Sequence, residues 1–206
     1  MPFSSYTSLG EALKKLGVTL NSHSFVIPAS VAVSQHLQQE MDFVQQWVGV
    51  PRSEFAICES LIYPILKEVW RHYPEFKIWS HEPLNFDADL SGTPDYFLAR
   101  RSPLGTPVVE EPYLLVVEAK KDDFDWGWAQ CLAGMVAAQK LNRWPEQVMF
   151  GITTNGRTWQ FGKLEAAVFT QDPRFFGWLP LEEACAAVHF IFENCRQQLK
   201  AYAGAA

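Results

Sequence analysis

No apolar run in this sequence reaches the ~18 residues or more that a membrane-spanning helix needs. No glycine-, serine- or proline-rich stretch divides the chain, and the opening Met1-Pro2-Phe3-Ser4 has neither the basic nor the apolar region of a secretory leader. These absences predict a cytoplasmic protein with no membrane partner. The nucleotide and hydrolase signatures Gly-x-Gly-x-x-Gly, the Walker loop, Gly-x-Ser-x-Gly and His-Glu-x-x-His are all missing. The five histidines are scattered singly and read as structural or exposed. Cys58, Cys131, Cys185 and Cys195 form no Cys-x-x-Cys pair and have no histidine at ligand spacing, so they read as buried reduced thiols and not as zinc ligands. Cations are also scarce: 17 lysines and arginines against 23 acids give a net charge of −6, the wrong sign for a protein that grips long duplex by its phosphates. Affinity for nucleic acid should be weak unless Arg100, Arg101, Lys120, Lys121, Lys140 and Arg143 make a local basic strip.

What is present is apolar mass. With 206 residues and 48% hydrophobic content, the chain can bury one core, and a single domain, residues 1–206, is expected. Ser8-Leu9-Gly10-Glu11 is a capping box, and Gly17 stops the short helix it opens. Val33, Leu37, Met41, Val44 and Val48 recur at helical spacing, predicting a second helix over residues 28–48 that Gly49-Val50-Pro51 breaks. Ser53 caps a third helix running to about Arg71, which Pro64 should kink. Glu59, Tyr63, Leu66 and Trp70 lie on one stripe of it. Residues 76–86 have strand character, and residues 100–112, with Pro103, Gly105, Pro107 and Pro112, read as a loop. Asp122, Asp123 and Asp125 suit the start of a helix that runs to Trp144-Pro145. In that helix Trp126 and Trp128 cannot share a face, so one belongs to the core and the other to the surface or cleft. Asn155-Gly156 predicts a two-residue hairpin between strands near 147–154 and 157–161, and residues 181–202 form a closing helix.

The chemistry concentrates between Ser91 and Asp125. Tyr113-Leu114-Leu115-Val116-Val117 reads as a strand buried on both faces, and Glu118-Ala119-Lys120 follows at its C-terminal end. Alternation puts Glu118 and Lys120 on one face and leaves the Ala119 carbonyl free. A carboxylate directly after five buried residues is costly unless it is paired or metal-bound. If residues 95–101 form the neighbouring strand, Asp95 adds a second carboxylate at the same edge. Asp95, Glu118 and the Ala119 carbonyl are hard oxygen donors suited to Mg²⁺ or Mn²⁺.

Pro94-Asp95 followed by Glu118-Ala119-Lys120 resembles the motif of the PD-(D/E)XK nuclease superfamily. Glu59 on an upstream helix is similar to the first acidic motif of that family, and Gln130 stands where many members carry glutamine. Ile152-Thr153-Thr154-Asn155-Gly156-Arg157-Thr158-Trp159 resembles the Thr-Asn-Gly-x-x-Trp hairpin that follows the nuclease core in type I restriction R subunits and their stand-alone relatives. The resemblance implies an α/β restriction-endonuclease-like core, a central mixed sheet flanked by helices, over residues 53–165. A helical extension over 1–52 would precede it and a C-terminal helical segment over 166–206 would follow. It implies metal-dependent phosphodiester hydrolysis, with DNA as the default substrate. Asp95, Glu118, Lys120, Glu59 and Gln130 would be the catalytic set. The ion would sit on Asp95, Glu118 and the Ala119 carbonyl, with Glu59 as an outer or second-metal carboxylate. The rival expectation is the same fold kept as a non-catalytic module for nucleic acid or a protein partner. Either reading is compatible with a homodimer.

Overall fold

The computed structural model describes residues 2–49, 51–144 and 146–205. Val50 and Pro145, each read from sequence as part of a helix-ending break, lie outside the described residues. The first elements are α1 (Leu9–Leu16), β1 (Thr19–Ser22), α2 (Gln35–Phe43), α3 (Glu54–Ile57) and α4 (Tyr63–Trp70). Strands β2 (Phe76–Ser80), β3 (Leu84–Asn85), β4 (Ser91–Gly92), β5 (Tyr96–Arg101) and β6 (Val109–Ala119) follow. Helix α5 (Phe124–Asn142), strands β7 (Val148–Thr154), β8 (Thr158–Glu165), β9 (Val168–Gln171) and β10 (Phe176–Gly177), and helix α6 (Leu181–Ala205) complete the chain. No helix among the described residues is long and apolar enough to cross a membrane.

A mixed eight-stranded sheet runs β1-β9-β8-β7-β6-β5-β2, with β10 paired to β8. The apolar strand read from sequence is β6, parallel to β7 and antiparallel to β5. It has no polar side chain between Leu114 and Val117 because helices cover both faces of the sheet. Leu115, Val117 and Ala119 pack in the core under α2, α4 and α6, while Val116 belongs to the core under α1 and α5. Burying each such side chain contributes on the order of 1.5–3 kcal/mol. Alternation continues past the core and sends Glu118 and Lys120 to the α5 side.

Several local readings change in the structure. The second helix begins at Gln35, capped by Ser34, whose hydroxyl accepts from the Leu37 N–H at 3.2 Å; residues 28–33 stay irregular. In the third helix the turn Cys58–Ile62 is π-helical, and the Tyr63 N–H reaches back to the Cys58 carbonyl. Pro64 has no N–H for the carbonyl four residues back, and the widened turn absorbs that loss where a kink was expected. The loop read over residues 100–112 shrinks, because β5 runs to Arg101 and β6 starts at Val109. Pairing jumps from Ala99–Tyr113 to Arg100–Glu110, so Glu111 and Pro112 bulge out of the ladder, as expected of a strand proline. The flanks are not purely helical: residues 1–52 supply edge strand β1, and residues 166–206 supply β9 and β10.

The Asn155-Gly156 turn is wider than a two-residue hairpin. Thr154 pairs with Trp159, and the Asn155 side-chain oxygen accepts from the Arg157 and Thr158 N–H groups at 3.0 and 2.8 Å. Gly156 has φ +81°, and a Cβ there would lie 2.6 Å from Leu61 Cβ, so the turn docks against the π-helical segment through a glycine.

Candidate functional site

Strand register assembles the site. Ser80 pairs with Tyr96, so the next step of the ladder sets His81 opposite Asp95, and the His81 N–H donates to the Asp95 carbonyl at 2.9 Å. Tyr96 pairs in turn with Val117, which places Asp95 beside the end of β6. There the Ala119 N–H donates to Asp95 Oδ2 at 2.7 Å. Asp95, Glu118, Lys120 and Gln130 line one cleft of about 410 Å³, joined by Glu54 and His81. Four of the five side chains read from sequence as the site are thus brought together.

The electrostatics of the cleft are unbalanced. Glu118 is 4% exposed. Its carboxyl is pushed well above the usual range, first by burial, then by the Asp95 charge. Lys120 opposes this only in part. Lys120, just past the C-terminal end of β6, is itself buried, at 6% exposure. Its stem lies under α5, where a Cβ on Gly127 would fall 2.9 Å from Lys120 Cγ, so only a glycine lets the helix approach this closely. The ammonium donates to Glu54 Oε2 at 3.3 Å and sits 5.2 Å from the Trp126 ring centroid. Trp126 is therefore the cleft-side tryptophan, while Trp128 is core. Asp123 caps α5, and Asp125 accepts from the Leu9 N–H at 3.3 Å, which gives these acids the helix-start roles read from sequence.

Glu59 is not among the residues lining this cleft: it is exposed and lines a neighbouring cavity with Phe55, Tyr63, Ser80, His81 and Tyr96, two of which, Phe55 and His81, the cavities share. The π-helical turn shifts the helical phase, so Cys58, Leu61 and Ile62 take the inward positions. The helix carboxylate in the cleft is Glu54, one turn before Cys58 and so on its face. Its sequence signal was its place in the first turn after the Ser53 cap.

Sequence reasoning also missed Cys58 and His81. Cys58 Sγ, a ring nitrogen of His81 and an oxygen of Asp95 lie within 4.8 Å of one another. Burial, with the Asp95 charge behind it, pushes the Cys58 thiol up to about 12, so it is no nucleophile at neutral pH. No short-range spacing announces this group; it exists because β2 and the third helix meet at β5.

The six cations that could make a local basic strip are dispersed. Arg100 pairs with Glu110 at 2.6 Å. With Arg101 it lies at the far end of β5, roughly 20 Å from Asp95 by strand rise. Arg101 there lines a cavity of about 440 Å³ with Lys67, Arg71 and Lys77. Lys140 and Arg143 sit at the distal end of α5. Lys121, paired with Asp122 at 3.8 Å, and Arg157 line a small cavity beside the cleft. Comparison of the chain with protein-family models and with curated proteins returns no match.

Proposed function

We propose that this protein is a metal-dependent phosphodiesterase with a PD-(D/E)XK nuclease-like, restriction-endonuclease-like core, and that DNA is its substrate. One observation carries the reading: Asp95 and the buried Glu118 line the same cleft beside Lys120, and Glu118 is pushed up by burial and then by its neighbour's charge. Two neighbouring carboxylates cannot both ionise comfortably in a dry site unless a cation lies between them. Mg²⁺ or Mn²⁺ fits the donors, because Asp95, Glu118 and the Ala119 carbonyl are all hard oxygens. Such an ion supplies a bound water of lowered pKa and neutralises charge on the phosphoryl group.

The chain's own residues supply the rest. Lys120 Nζ, held by Glu54 and the Trp126 face, donates a hydrogen bond to the attacking water or to a phosphoryl oxygen as charge develops there. Its buried stem fixes the ammonium so that little reorganisation accompanies the reaction. Glu54 orients that ammonium, and Gln130, buried on α5 at the cleft wall, adds a neutral polar group that aligns substrate without adding charge. The net charge of −6 and the dispersed cations match weak intrinsic grip on nucleic acid.

The test is plasmid nicking and cleavage of labelled single- and double-stranded oligonucleotides with Mg²⁺ or Mn²⁺. Lys120→Ala should lower the rate ~10²–10⁴-fold. Because Lys120 is buried, Lys120→Met serves as the companion that keeps the packed stem, and it should be equally inactive while fully folded. Wild-type activity unchanged in both variants contradicts the assignment. No wild-type cleavage of any DNA or RNA would favour a non-catalytic module on the same fold.

A further inference from the structure

We propose that Cys58, His81 and Asp95 form a second metal site, for a borderline-soft ion of the zinc class, beside the hard-oxygen site. Their donor atoms lie within 4.8 Å of one another. Neighbouring ligands of a tetrahedral zinc ion stand roughly 3.3–3.8 Å apart at ordinary zinc bond lengths. The three donors thus stand close to that spacing with no ion bound.

Two of the donors are aimed by partners of their own. Ser80 Oγ lies 2.9 Å from His81 Nδ1, and the Ala119 N–H holds Asp95 Oδ2 at 2.7 Å. Outer partners that fix a ligand's orientation are the usual second layer of a metal site. The free ends converge. His81 Nε2 is shut off from solvent with no hydrogen-bond partner and stands 3.4 Å from Asp95 Oδ1. His81 holds this position with φ +52°, a conformation that a non-glycine residue adopts at a cost. Stacking of its ring on Phe55 and edge contact with Tyr96 explain why the imidazole is packed. They do not explain why a buried polar nitrogen is turned toward a carboxylate and a thiol.

The donor chemistry separates this site from its neighbour. Sulfur and imidazole select zinc-class ions, whereas carboxylate and carbonyl oxygens select magnesium and manganese. Three protein ligands leave a fourth position open, as in zinc sites that bind a water or a substrate. The inference stands whether or not the protein cleaves nucleic acid.

The test is titration of the full chain, free of magnesium, with Co²⁺ as a spectroscopic stand-in, followed by Zn²⁺ competition against a chromophoric chelator. One Co²⁺ per chain should produce a thiolate-to-cobalt charge-transfer band that Zn²⁺ abolishes. Cys58→Ser should lose the band. Cys58→Ser and His81→Ala should each weaken Zn²⁺ roughly tenfold or more, while Cys185→Ser, altering a buried thiol on α6, should change nothing. Far-UV circular dichroism checks that the variants fold, and Cys58→Ala serves as a second thiol-free variant should Cys58→Ser not fold. A saturated cobalt complex without a thiolate band, a band that survives Cys58→Ser, or Zn²⁺ affinity unchanged in both variants would overturn the proposal.

Discussion

Asp172 and Glu118 are both buried carboxylates, at 0% and 4% exposure, yet their surroundings are opposite. Asp172 Oδ2 accepts from the Phe25 and Val26 N–H groups at 2.9 and 3.0 Å and from Arg174 Nη2 at 2.7 Å. Its Oδ1 accepts from the Arg174 Nε and N–H at 2.9 and 3.1 Å. Burial acts to raise its pKa, but the Arg174 guanidinium and these N–H groups outweigh burial and hold the carboxyl well below the usual range. Glu118 faces Asp95 and is pushed the other way. Burial is therefore no mark of function by itself. A structural carboxylate is surrounded by donors, and Asp172 ties residues 25–26 to the sheet; a carboxylate buried beside another carboxylate is where we propose a cation.

Exchanging charge at the two positions gives the largest expected contrast. Glu118→Gln should reduce Mg²⁺-dependent cleavage ~10²–10⁴-fold while leaving metal-free stability equal to or above wild type, since it removes a buried like-charge contact. Asp172→Asn should do the reverse. It breaks charge-assisted bonds and costs about 3 kcal/mol by urea unfolding, with cleavage per folded molecule unchanged. Stability lost in the first variant, or cleavage lost in the second, would break the contrast.

The two sites should also pull the pH profile in opposite directions. Asp172 has a lowered folded pKa, so its contribution is full above the unfolded value of about 3.9 and is lost as pH falls through the folded value. Glu118 has a raised folded pKa, so its contribution is present below about 4.3 and is lost as pH rises through the folded value. Urea midpoints measured with a chelator present, from about pH 3 to 8, should thus fall on both flanks. Glu118→Gln should flatten only the alkaline flank and Asp172→Asn only the acidic one. The same flattening in both variants would mean that the groups are misassigned.

A smaller effect sharpens the role of Lys120. A Cβ at Gly127 would lie 2.5 Å from Thr153 Cγ2 and 2.9 Å from Lys120 Cγ, so Gly127→Ala forces α5 or the lysine stem to move. Overpacking of this kind costs ~1–3 kcal/mol. Cleavage should fall through kcat while Mg²⁺ affinity stays near wild type, because no carboxylate moves. A variant with wild-type kcat would mean that the ammonium need not be held so tightly.

Much of the sheet was legible because single-residue patterns specify it. Leu114 to Val117 announce a strand covered on both faces, and Ser8, Ser53 and Asp123 cap helices where side-chain chemistry requires. The edge strands β1, β9 and β10 were not legible; β1 is exposed along its whole length and carries no apolar alternation. In the site, Asp95, Glu118, Lys120 and Gln130 follow from β6 and its neighbours. Glu59 lies within the π-helical turn before Pro64 and lines the neighbouring cavity, while Glu54, one turn before Cys58, lines the cleft. The grouping of Cys58 with His81 depends on how β2 pairs with β5 and where the third helix crosses them, contacts between distant segments that no local spacing encodes.

The proposed cation site includes Glu118 and excludes Asp172. Mn²⁺ titration followed by water-proton relaxation tests it directly, with wild type, Glu118→Gln, Asp172→Asn and Cys58→Ser side by side. The expected result is weak binding of Mn²⁺ by wild type that is lost in Glu118→Gln and retained in Asp172→Asn and Cys58→Ser. A Glu118→Gln titration indistinguishable from wild type would contradict the claim.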